Sequence, residues 1–179
     1  MADPVGDRWL VVERRKTLYG IISGNLGAAI AYGVAYALWP AGTELTRSDR
    51  LFAAIELCAF PALIVLAMFY SCARMPDTTG AVNPLLGQES LRWKVNQRVL
   101  SNTVEQIAIF VPLLLALSLR VDAAHAKVIP IHVTLWVVAR IAFAVGYRRS
   151  PALRAPGMAA TSAINMATIA WLVRSLVMV

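Results

Sequence analysis

Charge is scarce in this chain. Charged residues occupy 15% of its 179 positions, against about a quarter in an ordinary soluble domain. Apolar residues fill 59% of the positions and the mean hydropathy is +0.63. So much apolar surface cannot be hidden inside one globule of this length, which excludes an ordinary water-soluble enzyme as well as a disordered tail. Cysteine is scarcer still, with two residues, too few for a disulfide scaffold. Cys58 and Cys72 fall on one apolar segment, fourteen positions apart, a helical rise of about 21 Å that forbids a bond between them. Both read as small buried apolar residues. His125 has a single carboxylate nearby, Asp122, and His132 has none, too few ligands for a metal site to be expected. The chain also lacks a glycine-rich phosphate loop, a nucleophile elbow, a collagen-like glycine period and any evident internal repeat.

What remains is long apolar runs. A bilayer core of about 30 Å takes roughly 20 helical residues, and five segments qualify: Thr17–Trp39, Leu51–Ala73, Val95–Leu119, Val128–Tyr147 and about Gly157–Val179. Residues 1–16 form a charged tail ahead of the first, and the loops between segments are too short to hold another domain. The expected class is an all-α integral membrane protein embedded in a lipid bilayer. The first segment has a second reading. Its basic flank and the Ala35-Tyr36-Ala37 pattern resemble a cleavable signal peptide. Its length and the acids Asp3, Asp7 and Glu13 in the flank favour a retained helix over 17–39. Gly20, Gly24, Gly27 and Gly33 would let that helix pack closely on a neighbour.

The net charge of +7 has an address in such a topology. Eleven Lys and Arg residues fall on the side holding the N-terminus and four or five on the other, depending on Arg174. The positive-inside rule then places the N-terminus in the cytoplasm and the C-terminus opposite. That accounts for the excess basic charge without nucleic acid as a partner.

Polar residues within apolar helices are costly, and so mark candidate sites. The third segment carries Arg98, Asn102 and Glu105, spaced by four and then three residues and therefore on one helical face. The fourth carries Arg140, seven residues before Tyr147. With the two helices antiparallel, Glu105 and Arg140 arrive at matching depth, about 10 Å below the interface. A Glu105–Arg140 ion pair is the economical expectation, either as helix glue or as part of a site. Arg98, Asn102, Tyr147 and Arg154 crowd the same end with no acid to match them, which suits an anionic, polar ligand.

The run Arg98-x-x-x-Asn102-x-x-Glu105, followed by the stretch from Ala139 to Pro156 (A-R-I-A-F-A-V-G-Y-R-R-S-P-A-L-R-A-P), resembles the MAPEG superfamily, membrane-associated proteins in eicosanoid and glutathione metabolism. The resemblance covers 51–179 and implies a MAPEG-like four-helix bundle, with segment 17–39 as one extra N-terminal transmembrane helix. It implies a homotrimer with glutathione bound between subunits. By position, Arg98, Asn102 and Glu105 would hold the tripeptide, and Arg140 and Tyr147 would line the same site. Arg154 would activate the thiol, since a neighbouring guanidinium stabilises a thiolate. Arg74 resembles the arginine closing the family's first helix and would join the cofactor site. Arg148 and Arg149 read as cations snorkelling to the interface.

Some positions depart from the family pattern. Phe143 and Gln106 stand where tyrosines occur in its leukotriene-forming branch. Met158 and Ala159 replace the arginine and serine of its prostaglandin-forming branch, which argues against prostaglandin isomerisation. The expected activity is glutathione transfer or peroxide reduction on a lipophilic small-molecule substrate entering from the bilayer. The rival is a non-enzymatic helix bundle or small-molecule carrier using the same polar cleft.

Overall fold

A computed structural model describes residues 4–40, 45–74 and 89–177. The described residues form six α-helices, α1 (Pro4–Leu38), α2 (Arg47–Leu57), α3 (Ala59–Ala73), α4 (Leu91–Arg120), α5 (Val128–Arg149) and α6 (Ala155–Val177), and no strand. Short 3₁₀ turns at Ala123–His125 and Ala152–Arg154 join α4 to α5 and α5 to α6. Residues 75–88, which lie in the region of family resemblance, are outside the described residues.

Five stretches are long and apolar enough to cross a bilayer, with α2 and α3 acting as one: Trp9–Leu38, Arg47–Ala73, Leu91–Arg120, Ala123–Arg149 and Ala152–Val177. These correspond to the five expected segments, and the protein is an integral membrane protein. Two boundaries differ instructively. α1 begins at Pro4, so described residues of the charged tail continue the helix rather than preceding it. The second segment is interrupted at Cys58. Pro61 lacks the N–H that would bond the carbonyl of Leu57, and its ring crowds that carbonyl. The chain tightens there, and the Cys58 amide reaches both Ala54 and Ile55, each at 3.1 Å.

Helix starts follow from local chemistry. Thr46 and Asp49 form a reciprocal capping box before α2, through Asp49 N to Thr46 Oγ1 at 3.2 Å and Thr46 N to Asp49 Oδ2 at 3.0 Å. Ser90 caps α4 by accepting from the Trp93 amide at 3.2 Å.

α5 is the central helix, with more than half of its apolar window buried. It packs against α4 and α6, with α3 on its flank. Phe110 and Trp136 stack at 5.2 Å between ring centres in the main core, joined by Leu114, Leu117 and Ile164. Close approach of α6 to α5 depends on Gly157, where a Cβ would collide with the Phe143 backbone. α1 lies outermost and docks mainly on α6. Near one end Gly24 sits against the Pro156 backbone with no room for a Cβ. Near the other, Tyr32 bonds the Trp171 indole, and Lys127 donates to the Tyr36 carbonyl at 2.8 Å. Many large apolar side chains on α1 and α3 stay exposed, Leu26, Ile30, Leu63 and Phe69 among them. Such a surface belongs in lipid rather than water.

Candidate functional site

A cleft of about 340 Å³ opens between α4, α5 and the α5–α6 turn, within the roughly 300–1,000 Å³ range of small-molecule sites. α4 contributes Arg98, Ser101, Asn102 and Glu105. Their spacing of three, one and three residues keeps them on one face, as expected for the three residues read from the sequence. Ser101 was missed, although its place on the same stripe was a usable signal. α5 contributes Phe143 and Tyr147, the turn contributes Arg154, and α6 contributes Met158.

Arg154 is held toward the cleft by Tyr147. Its Nη1 donates to the phenol oxygen at 3.0 Å, and its guanidinium lies 4.9 Å from the ring centre. Gly146 makes this arrangement available, because a Cβ there would strike the Leu153 carbonyl and push the turn away from α5. The cleft thus holds two guanidiniums, a carboxylate, an amide and a phenol. That set suits a polar ligand bearing both carboxylate and ammonium groups.

The expected Glu105–Arg140 ion pair does not form. Arg140 is 0% exposed and stands behind the cleft wall rather than on it. Its Nη2 donates to Asn102 Oδ1 and Thr103 Oγ1, both at 3.0 Å. Its guanidinium lies 4.0 Å from the centre of the Phe143 ring. Matched depth does bring Arg140 to α4, but one turn short of Glu105, where the Asn102 amide lies within reach and takes the hydrogen bond. Asn102 Nδ2 in turn faces Glu105 Oε2 at 3.4 Å, a long contact. The amide therefore links the buried cation to the exposed acid. Thr103, which the sequence reading passed over, passes its own proton to the Val99 carbonyl at 2.8 Å and so can accept from Arg140. Phe143, noted as a missing phenol, serves as the aromatic face beneath the guanidinium.

Arg74 is not brought to this cleft. It borders a second, larger one of about 860 Å³, with Arg92, Arg148 and Asn96. Arg148 is not a free snorkelling cation either. Its Nε donates to Asn96 Oδ1 at 2.8 Å and its Nη2 to Ser71 Oγ at 3.1 Å, tying α5 to α4 and α3. Gln106, the other departure from the family pattern, accepts from Asn165 Nδ2 at 2.9 Å and joins α4 to α6. Among the described residues no group of three His, Cys, Asp or Glu could hold a metal ion.

These features define a membrane-embedded helical bundle with a polar cleft at one end of its central helix. The MAPEG family model matches residues 57–174, from the end of α2 to near the end of α6. The chain belongs to the MAPEG family, which includes glutathione-dependent enzymes. The match leaves α1 outside. None of the curated proteins compared with the chain matches it.

Proposed function

We propose that this protein is a glutathione-dependent membrane enzyme of the transferase or peroxidase type, acting on lipophilic electrophiles as a homotrimer. The observation that carries the reading is the Arg154–Tyr147 pair at 3.0 Å, facing a cleft that also holds Arg98 and Glu105. Glutathione presents two carboxylates, one ammonium and a thiol. Arg98 suits a carboxylate, Glu105 the ammonium, and Asn102 the peptide. Arg154 is the group for the sulfur. A guanidinium favours the thiolate, lowering a thiol pKa from its ordinary value near 8.5 toward neutrality. Bound glutathione would supply a sulfur nucleophile for an electrophilic carbon, the thiol proton going to solvent and the leaving group taking the bonding pair, while Arg154 would stabilise the thiolate. Arg140 supports this site from behind by fixing Asn102. Arg74, lying in the other cleft of the same subunit, has no support within this subunit for a part in the cofactor site.

In this reading α2–α6 form the four-helix family domain, with α2 and α3 as one membrane crossing, and α1 is a retained fifth span. Docking of α1 on α6 at both ends supports its retention. The excess of basic residues supports a cytoplasmic N-terminus and a C-terminus on the opposite side.

The test is thermal unfolding of the detergent-purified protein with and without glutathione. Ligand at about 100 times its dissociation constant adds roughly 2.7 kcal/mol, a clear rise in melting temperature. No shift across millimolar concentrations would refute the reading. If glutathione binds, the thiolate absorbance is expected to vanish in Arg154→Ala while binding persists. A non-enzymatic bundle is the second reading, favoured by Gln106, whose side chain joins α4 to α6 through Asn165. It predicts full stability without glutathione and no thiolate signal.

A further inference from the structure

Three successive turns of α5 carry a polar side chain into the interior of the bundle, and each leaves atoms that nothing among the described residues satisfies. Arg140 is wholly buried, and its Nη2 is used by Asn102 and Thr103, while Nε and Nη1 have no hydrogen-bond partner. One turn back along α5, the Trp136 indole N–H is buried and unpartnered. A further turn back stands His132, also wholly buried. Thr168 gives its proton to the Ile164 carbonyl at 2.9 Å and so accepts from His132 Nδ1 at 3.1 Å. That leaves His132 Nε2 as a buried acceptor without a donor. Tyr32 of α1 closes over the ring, 5.4 Å between centres.

The register of α6 against α5 brings a fourth group into line. Gly157 meets the Phe143 backbone and Thr168 meets His132, so the antiparallel pairing sets Asn165 level with Trp136. Asn165 Nδ2 donates to Gln106 Oε1 of α4 at 2.9 Å, and Asn165 Oδ1 is buried without a donor. Apart from Arg50 Nε, every buried side-chain nitrogen or oxygen left without a partner among the described residues lies on this one seam. Leaving such atoms bare is costly. Their kinds decide what would satisfy them. Arg140 and Trp136 offer donors, whereas Asn165 Oδ1 and His132 Nε2 offer acceptors. An anion would serve the first pair and leave the second bare, and a cation would do the reverse. A small neutral ligand that both donates and accepts serves all four. The spacing suits one. Residues four apart on a helix are separated by about 6 Å along its axis, and one water bonded on both sides at about 2.9 Å spans nearly that distance.

We propose that the seam between α4, α5 and α6 binds a file of internal water molecules, running from Arg140 behind the first cleft to His132 beneath α1. These waters take the part a carboxylate would have played, hydrating the guanidinium at membrane depth. They are held with or without glutathione in the cleft.

Pulsed X-ray hydroxyl-radical labelling of the detergent-purified protein, read residue by residue by mass spectrometry, tests it, because the radicals form from bound water where that water lies. Trp136 and His132 are expected to be labelled despite their burial. Leu114 and Leu117, equally buried in the apolar core, should stay protected once each rate is divided by the residue's intrinsic reactivity. Trp136 and His132 protected as fully as those leucines would overturn the proposal, and this wild-type comparison decides even if a variant fails to fold. Asn165→Leu removes an acceptor from the middle of the file and is expected to abolish the labelling of Trp136. Unchanged labelling in the folded variant would count against the file as decisively. Melting temperatures in chloride and in gluconate should agree. A rise in chloride that Trp136→Phe removes would make an anion the ligand and overturn the water assignment.

Discussion

Truncating Asn102 separates two accounts of how the bundle tolerates Arg140. If a carboxylate neutralised the guanidinium, Glu105→Ala would leave a buried charge unpaired, at a cost of about 3–5 kcal/mol. The observed contacts instead satisfy Nη2 through Asn102 and Thr103, while Nε and Nη1 are buried without a hydrogen-bond partner. Asn102→Ala is therefore expected to destabilise the protein by about 1.5–3 kcal/mol, the range for a hydrogen bond to a charged group. Glu105→Ala, an exposed position, should fall within about 0.5 kcal/mol of the wild type. Denaturant unfolding of both variants in the same detergent decides the matter, and the reverse order would restore the ion pair. The stripe Arg98, Asn102 and Glu105 was legible because helical periodicity alone sets which residues share a face. The partner of Arg140 was not. Periodicity places a residue to within a turn, while choosing between neighbours one turn apart depends on side-chain reach and on what else fills the space. The Phe143 ring, 4.0 Å from the guanidinium, is part of that filling.

Glycine decides the contacts between helices. Gly157 lets α6 lie against the Phe143 backbone of α5, so Gly157→Ala should wedge the two apart at about 1–3 kcal/mol, the usual cost of overpacking. A lower melting temperature with unchanged helix content is the expected result. The analogous contact of Gly24 with Pro156 joins α1 to the rest of the bundle. Gly24→Leu should loosen α1 alone, and hydrogen exchange should quicken in α1 while α5 keeps its protection. Five stretches long and apolar enough to cross a bilayer could be counted from the sequence because length and hydropathy suffice for that. The break at Cys58 was signalled by Pro61 but hidden within an unbroken apolar run. The helical continuation of α1 back to Pro4 had no signal in hydropathy, because a helix does not end where its apolar stretch does.

At the scale of the whole molecule, the exposed apolar surface of α1, α3 and parts of α4 must meet either lipid or other subunits. For the trimer proposed above, chemical cross-linking in native membranes should stop at three subunits, and light scattering in detergent should give three times the chain mass after correction for detergent. A purely monomeric species in both would remove the trimer from the proposed function. The two clefts lie on separate sets of residues, although both draw on α4 and α5.

The sequence alone determined the membrane class, the number of stretches able to cross a bilayer, the polar face of α4 and the family. Each of these follows from composition, periodicity or motif order, which act locally along the chain. Only the tertiary structure decided that Arg140 bonds Asn102 and Thr103, that Arg148 ties three helices together, and that Arg74 stands apart from Arg154. Those outcomes depend on the angle and distance at which helices meet, fixed by Gly157, Gly146 and the packing around α5. No spacing rule within one helix encodes them.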